Sequence, residues 1–148
     1  MDKERLLQPE IQAFIKEHEG EDLRHLMLQK EKYAHLPLRD IIEQLSARKK
    51  AEKKLPSWYK TSGILYPSVV SIEQSSSEIT AKYKASLFGG SSALDLTGGF
   101  GVDSYYLAQK FERFCYVEKN EALAQIARHN FACLKQRSEE HTSELQSR

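Results

Sequence analysis

Apolar positions recur at helical spacing through the opening of the chain. Ile11, Phe14, Ile15 and His18 fall three and four apart, behind a proline at position 9 that suits the first turn of a helix. Gly20 is a natural stop, and Asp22 caps a second helix carrying Leu23, Leu26 and Met27. Pro37 opens a third helix with Leu38, Ile41, Ile42 and Leu45 on its stripe. Met27 reads as core filler, and His18 as a packing residue, because no second ligand stands near it in sequence. The pattern breaks at Leu55-Pro56-Ser57-Trp58-Tyr59, where aromatics anchor a linker. Ile64-Leu65-Tyr66 and Val69-Val70-Ser71-Ile72 read as extended segments around Pro67. Ser75-x-x-Glu78 has the spacing of a capping box and opens a helix through Ala85.

The periodicity then changes. Ala93-Leu94-Asp95-Leu96 is a short apolar run of the kind that forms a buried strand, and Gly98, Gly99 and Gly101 crowd the turn after it. The following helix places Ser104, Leu107, Ala108 and Phe111 on one face. Phe114-Cys115-Tyr116-Val117 is a second strand, with Glu118 at its carboxyl end. Asn120 caps a last helix that carries Leu123, Ile126, Ala127, Phe131 and Leu134 on one side. Asn130 falls inside that stripe and needs a hydrogen-bond partner if buried. Tyr105 and Tyr106 read as core or rim packing, and Cys115 and Cys133, which lack metal-ligand spacing, as reduced core residues.

Strand, glycine loop and helix together carry the candidate chemistry. Such a unit aims free backbone N–H groups at whatever sits over the strand's end, and glycines let a ligand approach the main chain. Glu118 stands roughly twenty positions beyond Asp95, where an acid can take both hydroxyls of a ribose. A dinucleotide loop wants G-x-G-x-x-G and no negative charge beside its pyrophosphate. Here Asp95 and Asp103 flank the glycines. Two carboxylates repel a pyrophosphate but suit a ligand that carries a sulfonium and an ammonium, which favours S-adenosyl-L-methionine over a nicotinamide cofactor.

Asp95-x-Thr97-x-Gly99-x-Gly101-x-Asp103, followed by Val117-Glu118-x-Asn120, resembles the class I S-adenosylmethionine-dependent methyltransferases. It is most similar to bacterial RNA-type members with a helical N-terminal region and a THUMP-like C-terminal domain. The resemblance covers residues 55–136. It implies a cofactor site made of Asp95, Thr97, Gly98, Gly99, Gly101, Asp103, Glu118 and Lys119, helped closed by residues 73–84. It also implies methyl transfer, with RNA as the acceptor. In such families the acceptor-orienting loop follows a later strand as an asparagine- or aspartate-proline motif, which this sequence lacks, so no catalytic residue is assigned.

The expected fold is therefore α/β. Residues 1–54 form a helical N-terminal subdomain, and residues 55–90 a linker with extended segments and a capped helix. Residues 91–136 form a truncated Rossmann-like methyltransferase domain, the first β-α-β-α. Residues 137–148 lack apolar periodicity and read as a translated sequencing adapter, which makes the chain an N-terminal fragment, inactive by itself.

Bulk properties change this picture little. The 148 residues are 40% hydrophobic, and 22 basic against 21 acidic side chains argue against a nucleic-acid binder that is charged all over. No apolar run approaches the roughly 18 residues of a membrane helix, and the charged opening is unlike a signal peptide, which suggests a cytoplasmic protein without membrane or metal partners. The basic run from Arg48 to Lys54 reads first as a solvated helix end, and second as a phosphate-contacting patch for RNA. Two other readings stand beside the methyltransferase: a nicotinamide-dependent oxidoreductase fragment, and a non-enzymatic helical interaction module whose glycine loop is only a turn.

Overall fold

A computed structural model describes residues 3–146, with side chains described as far as Lys135. Four helices open it: α1 (Lys3–Leu6), α2 (Pro9–Glu17), α3 (Leu23–Leu28) and α4 (Leu38–Lys54). The Asp22 carboxylate accepts the Arg24 N–H and so caps α3 as its position predicts. Ile11, Ile15, Leu26, Ile41 and Leu45 are buried. His18 stacks on Phe14 with ring centroids 3.9 Å apart and donates through Nδ1 to the Phe14 carbonyl, as a packing residue. Met27 departs from expectation. It is 59% exposed, because α3 spans six residues and turns only Leu26 fully into the core.

Three short helices follow: α5 (Pro56–Tyr59), α6 (Val69–Gln74) and α7 (Glu78–Leu87). Residues 64–66, expected to be extended, lie outside the helices and outside the two-stranded sheet. Gln44 donates through Nε2 to the Tyr66 carbonyl at 2.7 Å and accepts the Tyr66 N–H at 2.9 Å. Asn130 does the same for Leu65, at 2.7 and 2.9 Å, which supplies the partner its burial requires. Each side-chain amide thus stands in for the peptide of a neighbouring strand. Val69–Gln74 is helical where an extended segment was expected. The Ser68 hydroxyl caps its first turn, and Ile72 is the side chain it buries, so capping and burial override the β-branched run. The capping box also shifts. Ser77, not Ser75, accepts the Thr80 N–H and starts α7. Glu78 is freed to bind the Ser57 N–H at 2.8 Å, the Ser57 hydroxyl and the Lys82 ammonium, tying α5 to α7.

The last unit is β1 (Gly90–Asp95), α8 (Val102–Ala108), β2 (Phe111–Tyr116) and α9 (Glu121–Gln146). The strands pair in parallel, with Gly90 opposite Phe111, Ala93 opposite Phe114 and Asp95 opposite Tyr116. Helix α8 ends at Ala108, so the expected face of Ser104, Leu107, Ala108 and Phe111 holds only in part: Ser104 is buried, with Val102 and Tyr106 beside it, Leu107 is half-buried, Ala108 is exposed, and Phe111 begins β2. Asn120 accepts the Leu123 N–H at 3.1 Å and caps α9, which buries Ile126, Ala127, Asn130 and Leu134. Its backbone is helical to Gln146; the side chains of residues 136–148, and with them the expected tail of 137–148, lie outside those described.

Buried side chains from α1 to α4, α5, α6, α7, α8 and α9 form one continuous hydrophobic cluster, with Trp58 and Phe100 at its aromatic centre, ring centroids 5.0 Å apart. One face of the sheet reaches it through Tyr116, whose ring meets that of Phe131 edge-on, a residue packed against that cluster. On its other face Leu94, Leu96, Cys115 and Val117 are exposed. Cys115 is therefore a surface thiol, because it alternates away from the helices, and Cys133 is half-buried. The outcome is an α/β fold with a small parallel sheet. No helix among the described residues is long and apolar enough to cross a membrane.

Candidate functional site

Because Asp95 and Tyr116 are register partners, β1 and β2 end side by side. The chain leaves β1 and folds across that end. Val117 donates its N–H to the Asp95 carbonyl, Gly98 to the Val117 carbonyl, and Gly101 to the Gly98 carbonyl, at 2.9, 2.9 and 2.8 Å. The three glycines serve different needs. At Gly98 a Cβ would lie 2.1 Å from Cε2 of Tyr116, and at Gly101, where φ is +88°, 2.5 Å from Cζ of Phe131. At Gly99, with φ +55°, a Cβ meets nothing nearer than the Thr97 carbonyl at 3.8 Å. Gly99 faces open space, so only its backbone angle resists a side chain there.

The acids are engaged from within the fold. Asp95 accepts the Thr97 N–H through Oδ1 at 3.0 Å and the Ser104 hydroxyl through Oδ2. It sits beneath the loop and shapes it. Glu118 reaches back from the end of β2, accepting the Asn120 N–H at 2.8 Å and the Gly99 N–H at 2.9 Å. The Asn120 N–H, against slight desolvation and with help from the Gly99 N–H, holds this carboxyl below its usual value. The Tyr116 phenol donates to the Gly99 carbonyl at 2.6 Å, and burial, then the Glu118 and Asp95 charges, push it up to about 12. Lys119 is exposed beside Glu118.

A cleft of about 340 Å³ opens over the loop. Thr97, Gly98, Gly99, Gly101 and Asp103 line one side, and Ser75, Ser76 and Lys84, from the start and middle of the α7 region, line the other. The structure thus gathers five of the sequence-predicted residues on one wall, with Asp95 behind the loop and Glu118 and Lys119 at its flank. Lys84 and Ser76 fall within residues 73–84, which the resemblance sets beside the site, but their contacts with Asp103 are not shown by sequence alone. Asp103 accepts the Ser76 hydroxyl at 2.7 Å and the Lys84 ammonium at 3.0 Å through Oδ2, while Oδ1 is buried without a partner. The cleft therefore carries a cation–acid pair where the sequence shows only the acid. A lysine two turns along a helix gives no sequence signal that it faces an aspartate in the next helix.

Two hollows of more than 500 Å³ lie elsewhere among the described residues. One of about 510 Å³ is bounded by Tyr105, Phe114 and Phe131, and one of about 530 Å³ by Lys16, Arg48 and Lys60. Neither touches the glycine loop. The basic run is largely tied into the fold: Arg48 pairs with Glu19, Lys50 with Glu73 at 2.9 Å, and Lys54 donates to the Ile72 and Glu73 carbonyls at the end of α6. Lys49 and Lys53 are exposed. No group of three or more metal-ligating side chains occurs among the described residues.

No protein-family model matches the chain. No curated protein matches it either. A solved structure does: a protein described as a putative methyltransferase from Porphyromonas gingivalis W83, 29% identical, superposes with a TM-score of 0.70 over 90% of this chain and 33% of that one. The chain has a methyltransferase-like α/β fold and spans about a third of the length of that neighbour.

Proposed function

We propose that the cleft over residues 97–101 binds S-adenosyl-L-methionine, and that this chain is the cofactor-binding part of an RNA-directed methyltransferase. The observation that carries this reading is the meeting of glycine loop and acid at the shared end of two parallel strands, with Glu118 on the Gly99 N–H at 2.9 Å. Ligands of open α/β sheets bind at that edge. The cleft falls within the ~300–1,000 Å³ of small-molecule pockets, and Gly99 leaves its floor free of side chains.

Each residue then has a task. Gly99 and its neighbours let the ligand reach the main chain, and Glu118, already ionised and held rigid, offers its remaining lone pairs to the ribose hydroxyls. Asp95 keeps the loop in shape through Thr97 and Ser104. When bound, the cofactor supplies a methyl group on a sulfonium, and the protein's part is to position it for in-line transfer. RNA as acceptor rests on the family resemblance, with exposed Lys49 and Lys53 as candidate phosphate contacts. The neighbour is about three times as long, so the full reaction and its acceptor belong to the proposal rather than to the fold.

Equilibrium dialysis with methyl-labelled S-adenosylmethionine tests the cofactor. Saturable retention, displaced by S-adenosylhomocysteine but not by NADH, is expected. Retention displaced only by NADH, or none at all, overturns the proposal.

A further inference from the structure

We propose that the hollow of about 530 Å³ between α2, α4 and the turn after α5 binds a nucleotide, with its phosphate held between Lys16 and Lys60. This hollow shares no lining residue with the cleft over the glycine loop, so the inference stands apart from the cofactor reading.

Three cations line the hollow, Lys16 from α2, Arg48 from α4 and Lys60 from the turn, against one acid, Glu19. Both oxygens of that acid are already engaged. Oε1 accepts from Nε and Nη2 of Arg48, and Oε2 accepts the Tyr59 hydroxyl at 3.1 Å. Lys16 and Lys60 are exposed, and their ammonium groups have no ion pair or hydrogen bond among the described residues. The hollow thus carries a surplus of two positive charges, in a chain whose 22 basic and 21 acidic residues nearly balance. A phosphate monoester, close to a dianion at neutral pH, matches that surplus. A neutral sugar or an ammonium does not.

The remaining surfaces define the body of the ligand. The volume lies within the ~300–1,000 Å³ of small-molecule pockets and is far more than a bare phosphate fills. Leu7 and Ile15 give an apolar wall, and Gln12 and Ser62 a polar one. Arg48 lies over the Tyr59 ring, its guanidinium carbon 5.1 Å from the centroid, and only 17% of its side chain is exposed. A guanidinium fixed by an aromatic ring and a carboxylate is a platform on which a base stacks. Phosphate, sugar hydroxyls and base each meet a matching surface. A free nucleoside monophosphate and one nucleotide of an RNA strand offer the same chemistry, and the test separates them.

Amide shifts of the ¹⁵N-labelled whole protein test this, with each of the four ribonucleoside 5′-monophosphates and a mixed-sequence RNA hexamer without terminal phosphate as probes. Saturable shifts centred on Gln12, Lys16, Ser62 and Gly63 are expected with at least one probe. The nucleoside that lacks the phosphate should bind at least about tenfold more weakly than its monophosphate. Lys16→Met and Lys60→Met should each weaken the monophosphate or hexamer about tenfold and leave the nucleoside within about twofold, while Lys60→Arg keeps most of the affinity. Lys30→Met, outside the hollow, is the control, and circular dichroism checks that each variant folds. The inference holds in two forms: a hexamer that binds more tightly than the monophosphates places the hollow on the path of an RNA strand, and the reverse order makes it a site for a free nucleotide. Shifts centred elsewhere, or none with any probe, overturn it. So does a nucleoside that binds as tightly as its monophosphate, or a protein carrying both Lys16→Met and Lys60→Met that binds as well as the parent.

Discussion

Gly98→Ala is the sharpest test of how the loop is packed. Its Cβ would stand 2.1 and 2.4 Å from two Tyr116 ring atoms, where ordinary contacts begin near 3.4 Å, so the ring must move by more than an ångström. Tyr116 is not free to do so. Its phenol donates to the Gly99 carbonyl at 2.6 Å, and its ring meets Phe131 edge-on at 5.6 Å. Forcing a methyl group into a packed site costs about 1–3 kcal/mol, and losing the phenol's hydrogen bond about another 0.5–1.5. The sum, about 1.5–4.5 kcal/mol, lowers the Tm by roughly 3–18 °C for a chain of this length. Thermal melting by circular dichroism measures it. Gly98 lacks a left-handed backbone angle, so in a Tyr116→Ala background the same change should cost nothing or stabilise slightly through the unfolded chain. A Gly98→Ala loss below about 0.5 kcal/mol, or the same loss in both backgrounds, would refute the packing argument.

Gly99→Ala should cost only about 1 kcal/mol of stability, from its left-handed angle, while weakening cofactor binding; a stability loss as large as that of Gly98→Ala would contradict the open geometry. Glu118→Ala should weaken S-adenosylhomocysteine by about 1–3 kcal/mol in a calorimetric titration, and unchanged affinity would remove its ribose role. Burial raises the Glu78 carboxyl, but hydrogen bonds from Lys82 and Ser57 outweigh it and hold the group below 4.5. Its stabilisation is thus complete above that value and fades as pH falls through the lower folded one, so Glu78→Gln should destabilise at pH 7 and flatten the acid limb of a melting profile. An acid limb identical to the parent's would argue against it. Asn130→Leu leaves the Leu65 N–H and carbonyl unpaired in the core, for a loss of about 2–5 kcal/mol in urea unfolding; a neutral result would mean water replaces the amide.

The features legible in the sequence are those set by local chemistry. Asp22 and Asn120 cap helices where they stand, Pro9 opens one, and the stripe from Ile126 to Leu134 packs as its spacing demands. The glycine loop and Glu118 come together for the same reason, being adjacent ends of one β-α-β unit. What sequence misreads depends on tertiary competition. Three serines in a row each offer a cap, and Ser77 prevails because Glu78 is claimed by Ser57 and Lys82. Val69–Gln74 carries strand-forming residues but has no strand to pair with, so it winds into a helix. The pairing of Asp103 with Lys84 is not legible in the sequence, because the two lie on different helices and no pattern along one chain reports a contact between two.

Amide chemical shifts in a ¹⁵N-labelled sample, followed through a titration with S-adenosylhomocysteine, test the central claim most directly. The account predicts saturable shifts centred on Gly98, Gly99, Gly101 and Asn120, spreading to Ser76 and Lys84 across the cleft, and leaving Lys16 and Lys60 unmoved. Shifts centred on the hollow near Arg48 or on the Phe114 side of the sheet, or a loop that responds to NADH and not to the thioether, would contradict it.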